Sequence, residues 1–260
     1  MAQYIIDRAT ATWGGQTIFG GSAGITLSPA SCALTTTGDD QDTTAWTGST
    51  VTSRTSTVGL RTWTASFTGY TSTAVLGSTG LITASGFSVA YARAWDMTIN
   101  CEAAESTYFN SPSWRSFIPG LLSASGSFET FADNGTALVL APTAATGTFR
   151  LSDQATDQTI AATINQLSLN STQTIGDIVM ATIGYKVSGA MTLNGSGTFT
   201  PILGTGTLAP PAAAELIITS TTSRTFTGSA FWTSVRIRCA VDQLIEVEAT
   251  FQGSDTLTAA

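Results

Sequence analysis

The sequence repeats itself, and this repeat limits the possible folds more than any other feature. Residues 115–131 match residues 54–70, which lie 61 positions earlier. The matched pairs are Arg54 with Arg115, Gly59 with Gly120, Leu60 with Leu121, Phe67 with Phe128 and Tyr70 with Phe131. An internal repeat indicates that each copy is one structural unit, so the architecture must contain that unit twice. We name it the A unit.

The A unit has the pattern of a strand with one buried face. After Pro119-Gly120, a pair typical of a turn, small and apolar residues alternate with polar ones from Leu122 to Glu129. The match extends upstream at a spacing of 63, where Leu34 corresponds to Met97. The two-residue difference in spacing falls in the loop that precedes each Gly-Leu pair.

A second repeat, the B unit, lies in the C-terminal half. Residues 178–192 match residues 244–258 at a spacing of 66. In the later copy, apolar side chains alternate with polar ones, which predicts a strand on the surface of a sandwich or barrel. The apolar positions are Ile245, Val247, Ala249 and Phe251, and the polar positions are Glu246, Glu248, Thr250 and Gln252.

The order A, A, B, B along the chain suggests that one domain is inserted into another. In this interpretation the first domain comprises residues 1–84 plus 196–260, and the inserted second domain comprises residues 85–195. The Gly- and Pro-rich stretch 204–214 suits a boundary of such an insertion. Two interleaved domains, pairing first A with first B, are the alternative, and the sequence does not choose between them.

The composition predicts an all-β protein with little helix. Thr is abundant, Gly and Asn-Gly pairs are scattered, and no long stretch has apolar residues at helical spacing. We expect duplicated β-sandwich or barrel domains. Residues 1–24 are expected to form an arm or loop, residues 25–37 a strand pair broken near Pro29, residues 38–42 a polar tip and residues 43–57 a long loop.

Charge excludes several classes of partner. The net charge is −7, with one lysine and nine arginines, and no basic stripe exists for binding nucleic acid tightly. No apolar run reaches the length of a membrane span, and residues 1–7 lack the pattern of a signal peptide. Cys32, Cys101 and Cys239 are expected to be small buried residues in a reducing compartment.

The sequence predicts no enzyme activity and no cofactor. It contains no histidine, no Cys-x-x-Cys pair and no phosphate-binding Gly loop. Asp39, Asp40 and Asp42 could bind calcium, but they lack an ordered series of ligands, so we interpret them as a solvated tip. A carboxylate pair for glycoside hydrolysis has no supporting aromatic motif. Arg54 and Arg115 suit a salt bridge or subunit contact better than an anion site.

Two motifs carry a resemblance to a known family. Residues 114–121 combine an aromatic, a polar segment and a Gly-Leu turn before an alternating strand, and residues 251–258 place Phe-Gln-Gly before a small-residue turn and Leu-Thr. In this the chain resembles the major tail tube proteins of long-tailed bacteriophages. The resemblance implies a β-sandwich whose strands join those of neighbouring subunits into an inner barrel, and rings that stack into a tube for DNA ejection.

The resemblance also implies partners and a location. The chain would assemble with itself in the host cytoplasm, contact other tail proteins (tape measure, terminator and baseplate or tip proteins), and reside in the virion tail. DNA would pass through without specific binding. Because both units are doubled here, three chains would fill the six positions of a ring; six chains with one copy displayed outside is the competing outcome.

Candidate functional residues follow from this expectation. Loops 43–57 and 106–116 are expected to make ring or subunit contacts through Trp46, Arg54, Tyr108, Phe109, Trp114 and Arg115. Lumen carboxylates without a buried partner are expected at Asp39, Asp40, Asp42, Glu246 and Glu248. An outer virion decoration protein or surface adhesin, and a carbohydrate-active enzyme on a β-sandwich, are the rival functions.

Overall fold

The structure, a computed structural model, describes residues 2–5, 10–20, 28–42, 56–74, 82–84, 92–108, 113–131, 143–151, 158–172, 179–195, 197–220 and 224–260. These residues form 15 strands and one short helix. The elements are β1 (Ala2–Ile5), β2 (Thr10–Trp13), β3 (Gln16–Phe19), β4 (Ser28–Asp42), β5 (Ser56–Ala74), β6 (Ile82–Ala84), β7 (Ala92–Glu105), β8 (Phe117–Phe131), β9 (Ala145–Arg150), β10 (Thr159–Thr172), β11 (Met180–Asn194), α1 (Thr200–Leu203), β12 (Gly206–Thr207), β13 (Ala214–Thr219), β14 (Thr225–Ala240) and β15 (Leu244–Ala259).

The expected all-β class is confirmed. The strands form one large antiparallel sheet, and the main path runs β1-β4-β5-β15-β14-β7-β8-β11-β10-β9-β6. Strands β12, β13, β2 and β3 branch from this path. Helix α1 has four residues. Most of the described Thr residues lie in these strands, where Thr suits a pleated surface.

The two A units form hairpins with the same strand register. In the first hairpin, β4·β5, Leu34 lies opposite Ala65, and in the second, β7·β8, Met97 lies opposite Gly126. These pairs differ by 63 positions on the first strand and 61 on the second, as in the sequence. Both hairpins also have two bulges at matching places, one near Pro29 and Ala92 and one near Gly38 and Cys101.

The two B units correspond in the same way at a spacing of 66. In β10·β11, Ile164 lies opposite Val187, and in β14·β15, Ala230 lies opposite Gly253. A bulge follows in each, before Ser168 and before Ser234. From here on, the counterpart of a residue is the residue at these spacings in the other copy.

The order of the hairpins in the sheet places each A hairpin beside one B hairpin. Strand β5 of the first A hairpin pairs with β15, and β8 of the second A hairpin pairs with β11, again in matching register. The nested arrangement, in which one domain is inserted into the other, requires this adjacency. The domain limits 1–84 plus 196–260 and 85–195 stay a prediction. The two halves meet where β14 pairs with β7, and we name this pairing the central joint.

A second layer covers one face of the sheet. Strands β2 and β3 bring aromatic rings onto β5 and β15: the Phe19 and Phe67 rings stack at 4.9 Å, and Trp13 meets Phe251 edge-on at 5.7 Å. In the other half, Phe149 of β9 packs on Trp95 at 5.3 Å and on Tyr185 at 5.2 Å. Each half therefore has a core between two β layers, as in a sandwich.

Four local expectations are wrong. The turn expected at Pro119-Gly120 is instead part of strand β8, where Pro119 pairs with Ala103 of β7. Residues 1–24 include strands β1, β2 and β3 rather than forming only an arm or loop. Residues 25–37 do not form a strand pair, because β4 runs continuously from Ser28 to Asp42 and accommodates Pro29 beside a bulge. The expected polar tip at 38–42 is the last part of this strand, which pairs with β5 through Asp42 opposite Ser56.

Candidate functional site

The face of the sheet opposite the core is polar throughout its middle. Along β15, buried residues alternate with half-exposed ones from Ile245 to Gln252, so the polar side chains predicted to share a face do so. The same alternation occurs in β7 and in the first half of β11. We name this surface the polar face. Its charged side chains are those of Asp96, Glu129, Lys186, Arg236, Arg238, Glu246 and Glu248.

Two of the predicted lumen carboxylates lie on the polar face, but they have partners. Arg238 Nη1 donates to Glu246 Oε2 at 3.1 Å, and Arg236 Nη1 lies 3.9 Å from Glu248 Oε2. Glu246 and Glu248 each have a half-exposed partner, because β14 places an arginine directly opposite each glutamate, and their assignment to the lumen stays a prediction. Four of the seven charged side chains on the polar face thus form two Arg–Glu pairs.

Asp39 is also paired. Arg115 Nη2 donates to Asp39 Oδ2 at 2.6 Å, and Arg115 Nη1 donates to Glu105 Oε2 at 3.0 Å. The hydrogen bond that Arg115 donates to Asp39, followed by the negative charges of Asp39 and Glu105, raises the pKa of the Arg115 guanidinium. This three-residue cluster ties β4 of the first A hairpin to the loop of the second, so Arg115 makes a salt bridge within the chain, one of the roles expected from the sequence.

The loop of the second A hairpin docks on the first. Arg61 N donates to Ser113 O at 2.9 Å, and Arg115 N donates to Arg61 O at 2.8 Å. Residue 114 thereby adds a one-residue parallel bridge to β5, and the Arg61 guanidinium lies 6.0 Å from the Trp114 ring centroid. Trp114 thus contacts a neighbouring unit, in this case one of the same chain.

The remaining predicted contact residues have mixed outcomes. Tyr108 is 64% exposed, so its side chain is accessible to another subunit. Trp46, Arg54 and Phe109 lie outside the described residues. Asp40 and Asp42 are placed in β4 by their backbone pairing with Val58 and Ser56, and their assignment to the lumen stays a prediction.

Sequence reasoning missed that, where one half has a large buried side chain and the other a small one, the neighbouring residues differ in size in the opposite direction. Trp63 is buried, and its ring fills space left by two glycines: an added Cβ would lie 2.5 Å from the ring at Gly228 and 2.2 Å at Gly253. The counterparts in the other half are Ala124, Ala162 and Val187. A large side chain between glycines in one half thus corresponds to three small or medium side chains in the other, which keeps both cores filled.

A second exchange involves a hydroxyl group. Tyr185 OH donates to Asp96 O at 2.8 Å, and an added Cβ at Gly126 would lie 2.7 Å from that hydroxyl oxygen. The counterparts are Phe251, which lacks the hydroxyl, and Ala65, which has the Cβ. Burial, and then the charge of Asp96, raises the pKa of Tyr185 well above its ordinary value, so the phenol stays protonated and can donate. Comparison of the aligned copies could have shown both exchanges.

The four hairpins follow one another along the sheet from β4 to β10, and the two ends of this row differ from the central joint. At one end, in the part of the chain that the structure describes, residues 168–172 of β10 pair with β11 alone, since β9 pairs only with residues 159–164. At the other end, β4 carries the four-residue strand β1 on residues 33–36. On β8, Leu121 is 75% exposed, whereas its counterpart Leu60 on β5 is half-buried.

The three cysteines are free and buried, and burial raises the pKa of both Cys32 and Cys239 to about 12. Within the described ranges, no group of His, Cys, Asp and Glu side chains is arranged to hold a metal ion. No helix in those ranges has the length and apolarity to span a membrane.

Comparison of the chain with protein-family models, with curated proteins and with solved structures gave no match. The sheet itself has three features that bear on function: a polar face, a central joint between two corresponding halves, and two ends that differ from that joint.

Proposed function

We propose that this chain is the structural subunit of a bacteriophage tail tube, which polymerises into stacked rings and forms a channel for DNA ejection. The observation that carries the proposal is the central joint. There, β14 of one half pairs with β7 of the other in an antiparallel register from Ser234 opposite Asn100 to Ala240 opposite Ala94. Two corresponding halves are thus joined edge to edge in a head-to-tail manner.

A head-to-tail contact repeats until its rotation closes a ring or generates an open helix. The counterparts of the joined strands are β10 and β4, which lie at the two ends of the row of hairpins. A second chain can therefore continue the sheet by the contact that the first chain makes internally. With two halves in each chain, three chains supply the six positions of a ring.

The polar face suits the inner wall of such a ring. A wall that conducts DNA must not retain phosphates, and an excess of exposed basic groups would do so. Arg236 and Arg238 are held by Glu248 and Glu246, so their charge is largely compensated on the wall. The net charge of −7 adds no attraction for a polyanion.

Negative-stain microscopy of the concentrated purified protein tests the function. We expect hollow tubes of uniform diameter. Ser171→Lys should abolish them, because Ser171 is exposed on the segment of β10 that, within the described residues, pairs with β11 alone, while its counterpart Ile237 is fully buried in the central joint. A lysine there stays solvated in the free chain and prevents strand addition.

Thr163→Lys is the matched control, since Thr163 is equally exposed on the same strand but lies in the part already paired with β9. This variant should still form tubes. Discrete particles or fibres from the wild-type protein, in place of tubes, would contradict the proposal and favour the decoration or adhesin function.

A further inference from the structure

Strand β1 occupies on β4 the positions that the central joint uses on β7. It pairs Ala2, Gln3, Tyr4 and Ile5 with Thr36, Thr35, Leu34 and Ala33. The counterparts of residues 36–33 are residues 99–96 of β7, which pair with residues 235–238 of β14. Both partners run in the same direction, so β1 takes the place that β14 takes in the other half.

We propose that β1 is a removable cap on the assembly edge of β4, and that β10 of a second copy of this chain displaces it during polymerisation. The counterparts of residues 235–238 of β14 are residues 169–172 of β10. The register between chains is therefore Leu169 opposite Thr36 and Thr172 opposite Ala33. This inference rests on the proposed tube function, and it adds the partner strand, the register and the control step.

The incoming strand has the properties of an unprotected edge. Residues 168–172 read Ser-Leu-Asn-Ser-Thr, with no lysine, proline or charge of the kind that normally blocks strand addition. Leu169, the counterpart of the buried Val235, is half-buried and packs against the core. The central joint spans residues 234–240, whereas β1 makes four residue pairs with β4 within the described residues.

A disulfide between β1 and β4 tests the cap directly. Residues opposite each other in an antiparallel pair have Cα atoms about 4.5–5.5 Å apart, within the range that a disulfide bridges. The double variant Ala2→Cys/Thr36→Cys should therefore close a bond within the chain when oxidised. The three native thiols should not interfere, since all are buried and burial raises the pKa of each of them, that of Cys32 and Cys239 to about 12.

Light scattering at a fixed protein concentration gives the assembly rate. We expect the oxidised double variant to assemble roughly tenfold more slowly than the wild type or not at all, since assembly that requires opening is slower when the opening is blocked. Reduction should restore the rate. Deletion of residues 2–5 should raise the rate, and the single variants Ala2→Cys and Thr36→Cys should behave as the wild type in the presence of reductant.

The register is tested by a bond between chains. Thr36→Cys/Leu169→Cys, oxidised after assembly, should give covalently linked chains on a non-reducing gel, whereas Thr36→Cys/Thr163→Cys should not. Tubes that form from the oxidised Ala2→Cys/Thr36→Cys chain at the wild-type rate would overturn the cap and leave the tube function intact. Absence of tubes from the wild type, the deletion and the reduced variant alike would overturn both.

Discussion

At the scale of single residues, the two halves solve the same packing problem with different side chains. Trp63 requires glycine at positions 228 and 253, and its Nε1 donates to Asp255 O at 2.7 Å. The other half fills the equivalent space with Ala124, Ala162 and Val187. Because each set joins residues of one A hairpin to residues of the adjacent B hairpin, the compensation favours the nested pairing over the interleaved one.

This compensation makes a prediction for stability. Trp63→Ala should lower the free energy of unfolding by about 3–5 kcal/mol, as expected for a large side chain removed from a core. Adding Gly253→Val to Trp63→Ala should recover at least about 1 kcal/mol, because it fills the cavity with the residue used in the other half. Urea denaturation measures both.

Gly253→Val in the wild-type background is the control. There the added side chain meets the Trp63 ring, so it should destabilise by about 1–3 kcal/mol or more. Gly253→Val should therefore raise the free energy of unfolding of the Trp63→Ala variant and lower that of the wild type. Equal destabilisation by Gly253→Val in both backgrounds would show that the two sites are not packed as described.

At the scale of elements, the sequence predicts the hairpins well and the segments between them poorly. Alternation identifies the buried and polar faces of β15 and β8 because one face packs on a core. It does not identify β2 or β9, which are short and lie in the second layer. It also does not show that Arg238 pairs with Glu246 or Arg115 with Asp39, since these contacts depend on which strands become neighbours.

The exposed β8 segment gives a prediction at this scale. On β5 the corresponding segment carries the loop at residues 113–115, and Leu60 is half-buried there. By the same equivalence, a neighbouring chain should cover Leu121. Leu121→Lys should change the free energy of unfolding by less than about 0.5 kcal/mol, since the side chain is exposed, yet it should reduce polymerisation.

Leu121→Met is the matched variant, because it keeps an apolar side chain of similar volume at the same position. It should polymerise as the wild type does in the light-scattering assay. Normal polymerisation by the lysine variant would show that β8 is not part of the contact between chains.

At the scale of the whole molecule, one chain already contains two consecutive positions of the proposed ring, joined by one step. The step is the central joint, and it links the halves by strand pairing rather than only by a covalent connection. The two kinds of joint in such a ring differ in chemistry. Within the chain, Arg238 lies opposite Asp96, whereas the counterparts at the joint between chains, Thr172 and Ala33, are uncharged. A chain that contains both positions allows this difference, while strict sixfold packing would not.

Image averaging of a tube cross-section by electron cryomicroscopy tests the central claim most directly. We predict three chains in each ring, with both halves of every chain lining the lumen, true threefold symmetry and approximate sixfold symmetry. The joint between chains should place β10 of one chain beside β4 of the next. Six chains in each ring, each contributing one half while the other half lies outside, would contradict the account.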